Sequence, residues 1–251
     1  MERERNDAGI RMTFRRKENK YLLDAGRLER LMEKLGGRVR EDGYGSTPVL
    51  SVYYDTPSFE LLARSAEKPL YKEKLRVRSY GVPDEDSLIF AEIKKKYGGI
   101  VYKRRTAGTP EQIGRLLENG VLTGKDVQTE REILYMKRRL DLEPALFIGY
   151  DRTAYVCEGE PELRLTTDSS IRYRFDDLDL RLGDAGYLLR DPEFRILEIK
   201  SPGNYPLWLA EALSEQEIRS GSFSKAGTCY KEIIMSGKPR EAADGKEVRY
   251  A

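Results

Sequence analysis

The sequence contains no histidine. That absence removes the usual general base near neutral pH, excludes Ser-His nucleophilic triads and takes away the ligand on which most zinc sites depend. Any chemistry here runs without imidazole. Cysteine is scarce too: Cys157 and Cys229 lie far apart, form no CxxC and indicate neither a metal knuckle nor a disulfide framework, which suits a reducing cytoplasm. No stretch approaches the roughly 18 apolar residues a membrane span needs, and the charged segment Met1 to Asp7 has no apolar signal region. A soluble, cytoplasmic protein is expected. The chain shows no repeat of fixed period and no long Ser- or Pro-rich linker.

What is present is charge. The 45 Lys and Arg nearly cancel the 43 Asp and Glu, and the resulting +2 argues against coating nucleic acid by bulk charge. Charged residues nevertheless make up 35% of 251, too many to sit idle on the surface, so some are expected to line a cavity. This length suits one large domain as readily as two small ones. One domain over 1–236 is expected, with a charged, frayed tail over 237–251.

Asp24 is a candidate N-cap for a helix over 25–35, whose Leu28, Leu31, Met32 and Leu35 share a face before Gly36 and Gly37 stop it. A second helix is expected from Thr109-Pro110 to Asn119-Gly120, with Pro at its first position. Others are expected over 58–66, 130–139, 207–219 and 225–235. Candidate strands at 12–22, 49–56, 70–80, 87–97, 100–106, 145–157, 162–174 and 194–201 outnumber them.

Residues i, i+2 and i+4 of a strand share a face. In FRRKENKYLL that face holds Arg16, Glu18 and Lys20; in YKEKLRVRSY, Lys72, Lys74, Arg76 and Arg78; in FAEIKKKY, Glu92, Lys94 and Lys96. Lys103 and Arg105, Tyr150 and Arg152, Arg164, Thr166 and Asp168, and Glu198 and Lys200 continue the design. Any one such face reads as the solvated side of an antiparallel sheet. Seven together read differently, because Lys and Arg stacked on adjacent strands destabilise the sheet unless a polyanion or interleaved carboxylates offset them. The opposite faces supply Leu75, Val77, Ile93, Val101, Leu163, Leu165, Leu197 and Ile199, which short helices could cover. The expected fold class is α+β: an antiparallel β-barrel or tunnel of about eight strands, closed or nearly so, with a charged interior and flanking short α-helices.

Strand pairs bearing ExK, RxR and a late ExK resemble the triphosphate tunnel metalloenzymes, or CYTH superfamily. Within it, ENKYLL, SVYYDT, KLRVRSY, AEIKKKYGGIVYKRR, YDRTAY, LRLTTD, LEIKSPGNYPLWL and SFSKAGTCY, in that order, resemble the VTC polyphosphate polymerase domain. The resemblance covers most of the chain. It implies that Lys20, Arg76, Arg78, Lys94, Lys103, Arg152, Arg164, Lys200 and Lys225 hold phosphate oxygens, with Tyr150 and Ser224 adding neutral hydrogen bonds. Arg76, Arg78, Lys94, Arg152 and Arg164 would be the catalytic set. Glu198, with Glu18 second, would ligate Mn²⁺ or Mg²⁺, hard cations that keep waters and bridge phosphate oxygens. Lys74, Lys96 and Arg105 read equally as rim charges, Glu92 as a balancing charge for Lys94 or an Arg, Tyr53 and Tyr54 as packing, and Trp208 as part of a helix on the barrel.

The implied activity is transfer of the γ-phosphate of ATP to a growing inorganic polyphosphate chain. The alternatives are a hydrolase or cyclase of triphosphates and a non-catalytic polyphosphate-binding module. Arg16 stands where the hydrolytic relatives open ExExK with Glu, which leans against hydrolysis. ATP and polyphosphate are the expected partners, with a membrane-protein partner, no membrane span in the chain and no nucleic acid, since a closed tunnel is too narrow for a duplex.

Overall fold

The computed structural model describes residues 17–67, 69–98, 100–236 and the backbone of 247–248. The expected strand at 12–16, Arg16 and most of the expected tail lie outside the described residues.

The elements in chain order are β1 (Lys17–Asp24), α1 (Ala25–Leu35), β2 (Val39–Asp55), α2 (Glu60–Glu67), β3 (Tyr71–Tyr80), β4 (Ile89–Tyr97), β5 (Ile100–Gly108), α3 (Pro110–Asn119) and α4 (Val127–Arg139). There follow β6 (Glu143–Cys157), β7 (Arg164–Arg174), β8 (Gly186–Leu188), β9 (Phe194–Ser201), α5 (Leu207–Glu215), β10 (Ser220–Gly221), α6 (Lys225–Cys229) and β11 (Glu247–Val248). The strands form one antiparallel sheet in the order β10-β1-β9-β7-β6-β2-β3-β4-β5, with β8 and β11 branching from β7. Among the described residues the ladder does not close: β5 and β10 end it. The barrel is open along one side.

Local chemistry sets the boundaries. Asp24 caps α1 by accepting from the Arg27 amide at 2.7 Å, and Gly36 follows at φ 52. Thr109 and Gln112 form a capping box on α3, and Gly120 ends that helix in the left-handed conformation. The DT of SVYYDT anchors α2: buried Asp55 accepts from the amides of Thr56, Leu61 and Leu62, each at 2.8 Å. Several elements differ from expectation, and the short strands β8 and β10 were not expected at all. β2 begins at Val39, ten residues early, because residues 39–41 pair with β6, residues 42–45 bulge out, and pairing resumes at Ser46. α5 stops at Glu215, and Glu217 turns at φ 52. The expected helix over 225–235 changes pitch after Cys229 into a π-helical turn over Tyr230–Ile234.

Three cores hold the sheet. On its outer face α3 and α4 cover Leu50, Val52, Leu75, Val77, Ala91 and Ile93, while α1 and α5 cover Tyr21, Leu23, Leu165, Leu197 and Ile199. Trp208 packs half-buried on this second cluster, as expected. Val101 does not join the outer core: it shares the face of Lys103 and is 47% exposed. The third core lies on the inner face. There Val49, Tyr53, Ile148, Tyr150, Ile171, Tyr173 and Ile196 pack against Leu62 of α2 and against Ala226, Cys229 and Ile233. The inner face is thus apolar at one end, and its charges gather at the other.

Candidate functional site

Alternation brings most of the expected residues together. Register places Lys20 of β1 opposite Glu198 of β9, Glu198 opposite Thr166 of β7, and Asp168 of β7 opposite Arg152 of β6. Across β2 the row continues with Tyr53 opposite Arg76 and Ser51 opposite Arg78 on β3, then Arg76 opposite Glu92 on β4 and Glu92 opposite Arg105 on β5. The sheet curls enough for Arg78 to donate to the Tyr150 hydroxyl, two strands away, at 3.2 Å. It curls enough, too, for Glu18 of β1 to support the charge of Lys94 on β4.

Two carboxylate-centred clusters organise the cations. In the first, Asp168, fully buried, accepts from Arg152 Nε at 2.6 Å and Nη2 at 2.8 Å and pairs with Lys225 of α6. Glu198 pairs with Lys20 at 2.9 Å and Arg152 at 3.2 Å, and Glu18 lies 3.9 Å from Lys20. Burial alone pushes the Glu198 and Asp168 carboxyls up, but the facing Lys20, Arg152 and Lys225 outweigh it and hold both below the usual carboxylate range. In the second cluster Glu92 takes Arg76 at 2.6 Å and Lys103 at 2.5 Å. Despite burial, Arg76, Arg78 and Lys103 bring it down to about 2. Glu92 is therefore the balancing charge that was expected, with Arg76 and Lys103 as its partners.

Neutral groups orient the rest. Arg78 donates to Ser51 Oγ at 3.1 Å as well as to Tyr150, whose ring lies under Arg152 and Lys225 at 5.2 and 4.0 Å. Ser224 caps α6, accepting from the Gly227 amide, and its Oγ also accepts from Lys74 at 3.2 Å. α6 thus brings Ser224 and Lys225 to the cluster on the back of the inner core.

Three residues were undervalued by sequence reasoning. Lys74 is in the wall of the cleft rather than on its rim. Tyr53 packs in the core, as expected, but its hydroxyl also accepts from Arg76 at 3.2 Å. Burial raises the Tyr53 phenol, yet Arg76, Lys74 and Arg78 together lower it to about 7. Asp168 was read only as one member of a polar face, and nothing in the alternation marks it as a hub. Its signal was the TTD that places a carboxylate opposite the RT of YDRTAY, which requires knowing that β6 and β7 pair.

Arg164 and Lys200 stand apart. They face each other across β7 and β9 at the end of the cleft, and Arg164 with Arg40 borders a cavity of about 580 Å³ at the tip of the β6–β7 hairpin. Arg105, on the edge strand, covers the Phe90 ring at 4.6 Å.

Among the described residues no group of three or more carboxylates, cysteines or histidines gathers as a metal cage. The donor set consists of Glu198, already engaged by two cations, and half-exposed Glu18 beside it. This set fits a hard divalent cation that keeps waters and draws its remaining ligands from substrate phosphate, and it does not fit a metal held by the protein alone.

The VTC domain family profile matches residues 15–234. A search of the curated proteins finds no match. Among solved structures, a candidate adenylate cyclase from Bacillus halodurans is similar at 14% identity and TM-score 0.49, over 82% of this chain and 92% of that one. A candidate adenylyl cyclase from Hippeastrum, described as having a dominant triphosphatase activity, is similar at 15% identity and TM-score 0.46, over 88% and 96%. With the family profile spanning nearly all of the described residues, this chain belongs to the VTC domain family.

Proposed function

We propose that the protein is a metal-dependent phosphotransferase that moves the γ-phosphate of ATP onto the end of an inorganic polyphosphate chain. One observation carries the reading: eight cations, Lys20, Lys74, Arg76, Arg78, Lys94, Lys103, Arg152 and Lys225, face one cleft against only four carboxylates, Glu18, Glu92, Asp168 and Glu198. A surplus held so closely suits a ligand carrying several negative charges in a row.

Phosphoryl transfer asks little covalent help of a protein; fixing the reactants and neutralising the transferring phosphate lower most of the barrier. Arg76, Arg78 and Arg152 offer planar forks already aligned by Glu92, Tyr150 and Asp168, while Lys20, Lys94, Lys103 and Lys225 offer movable point charges. A terminal phosphate is already anionic near neutral pH and attacks without a general base, which accords with a chain that has no histidine. Glu198, with Glu18, would hold Mn²⁺ or Mg²⁺; bound there, the ion would neutralise phosphate charge. Arg164 and Lys200, at the end of the cleft, would guide the chain.

Incubating the purified protein with ATP and Mn²⁺ and sizing the products tests this. Long phosphate chains with ADP are expected; ADP with free phosphate alone would identify a hydrolase instead. No turnover combined with tight tripolyphosphate binding would leave a binding module. Replacing both Arg76 and Arg78 by Ala is expected to abolish turnover.

A further inference from the structure

Charge along the inner face is unevenly balanced. Lys20, Arg76, Lys103, Arg152 and Lys225 each form an ion pair with a carboxylate of the cleft. Lys74 and Lys94 are direct cross-strand neighbours on β3 and β4, and among the described residues neither forms an ion pair. Like charges placed opposite each other destabilise a sheet. Here the pair is flanked on β3 by Lys72 and Arg76, so the same strip gathers still more positive charge.

Lys74 is nonetheless held in place. Its ammonium donates to Ser224 Oγ at 3.2 Å and lies 5.9 Å from the centre of the Tyr53 ring. One acceptor occupies one of three donors, and no other hydrogen bond of the Lys74 side chain is formed within the described residues. Burial first, then Lys72, Lys94 and Arg76, keep its pKa down at about 8 against the opposing effect of Tyr53. A side chain that is positioned, desolvated and, among the described residues, without a carboxylate partner is one whose missing partner arrives from outside.

We propose that Lys74 and Lys94 jointly seat one phosphate of the substrate, whose oxygens take the place that Glu92, Asp168 and Glu198 occupy for the other cations. Lys74 is then a substrate-binding residue, with Ser224 as its positioning partner, and the strip between β3 and β4 is where the polyanion adds most to its own binding. The assignment rests on the polyanion reading above and deepens it.

Calorimetric titration of tripolyphosphate into the wild type, Lys74→Gln, Lys74→Arg and Lys95→Gln tests it. Lys95 points to the outer face, where it pairs with Glu132, and serves as the control. Losing one charge-assisted contact is expected to weaken binding by Lys74→Gln about tenfold or more. Lys74→Arg should recover most of that loss and Lys95→Gln should match the wild type. No binding by the wild type would remove the polyanion reading itself. Wild-type binding with Lys74→Gln unchanged would remove only the Lys74 assignment. A readout on the unmutated protein covers the case of a variant that misfolds: amine acylation near neutral pH, mapped by mass spectrometry, should modify Lys74 in the free protein and lose most of that modification when tripolyphosphate is present. Labelling of Lys74 that tripolyphosphate leaves undiminished would overturn the proposal.

Discussion

Asp168 has no exposure and accepts three hydrogen bonds from two cations, so its removal would leave nearly buried Lys225 without its carboxylate and Arg152 with Glu198 alone. Breaking a buried pair by deleting one partner typically costs about 3–5 kcal/mol, and Asp168→Asn is expected to lower the urea midpoint accordingly without changing the slope of the transition. The same carboxylates set the acid response. Glu92 titrates at about 2 in the folded state, well below its ordinary carboxylate value. A depressed carboxylate contributes stability that is fully present above its unfolded pKa and disappears as pH falls through the folded one, here on the order of 3 kcal/mol. Unfolding free energy should therefore decline below pH ~4.5 and continue to fall towards about 2, and Glu92→Gln should flatten that decline. Tyr53 offers a direct spectroscopic check. Near-ultraviolet titration should reveal one tyrosine ionising at about 7, absent in Tyr53→Phe and driven upwards by bound tripolyphosphate, because a phenolate beside a polyanion is repelled. A titration showing every tyrosine at its ordinary value would contradict the geometry around Arg76 and Lys74.

At the scale of elements, the short helix α6 and its π-helical continuation do two jobs. Ala226, Cys229 and Ile233 plug the apolar end of the inner face, and Ser224 and Lys225 at the same helix's start reach the charged end. Ile233→Ala is expected to cost about 2–4 kcal/mol as a core truncation. It should also weaken tripolyphosphate binding, although residue 233 faces no phosphate; stability lost with affinity intact would mean that α6 is positioned by other contacts. This element also shows where reading a sequence stops. The helix itself was legible from 225 onward, and so were the cap at Asp24 and the start of α3 at Thr109-Pro110, because a cap is a local hydrogen bond between residues three apart. Strand alternation likewise revealed which side chains share a face. What alternation does not carry is which strand lies beside which. The neighbours β1 and β9 are separated by most of the chain, and only that pairing makes Glu198 the partner of Lys20. The early start of β2 was hidden for a related reason: Gly43, Gly45 and Pro48 read as loop, and only pairing with β6 keeps the bulged segment extended. Period-two reasoning also carried no sign that one end of the inner face is greasy, since the inner core draws no more than a few residues each from β2, α2, β6, β7, β9 and α6 with its π-helical turn.

For the molecule as a whole, the distribution of charge says more than its sum. Among the described residues eight cations against four carboxylates leave the cleft four charges positive, while the whole chain carries only +2, so positive charge is concentrated in the cleft. On the proposed reading, charge concentrated in this way favours steering of a polyanion to the cleft over non-specific adhesion. Binding to the folded state alone stabilises it by mass action, about 2.7 kcal/mol at a ligand concentration one hundred times Kd. For a chain of this size that corresponds to a rise in Tm of roughly 5–10 °C. Tripolyphosphate should produce such a rise and single orthophosphate a much smaller one, since one phosphate cannot span Lys20, Arg152 and Arg76 at once. Added salt should reduce the effect less than it would for exposed charges, because the cleft cations sit among low-dielectric walls. In the Arg76→Ala, Arg78→Ala double variant the rise should disappear. If that variant is stabilised as fully as the wild type, the polyanion rests somewhere other than this cleft.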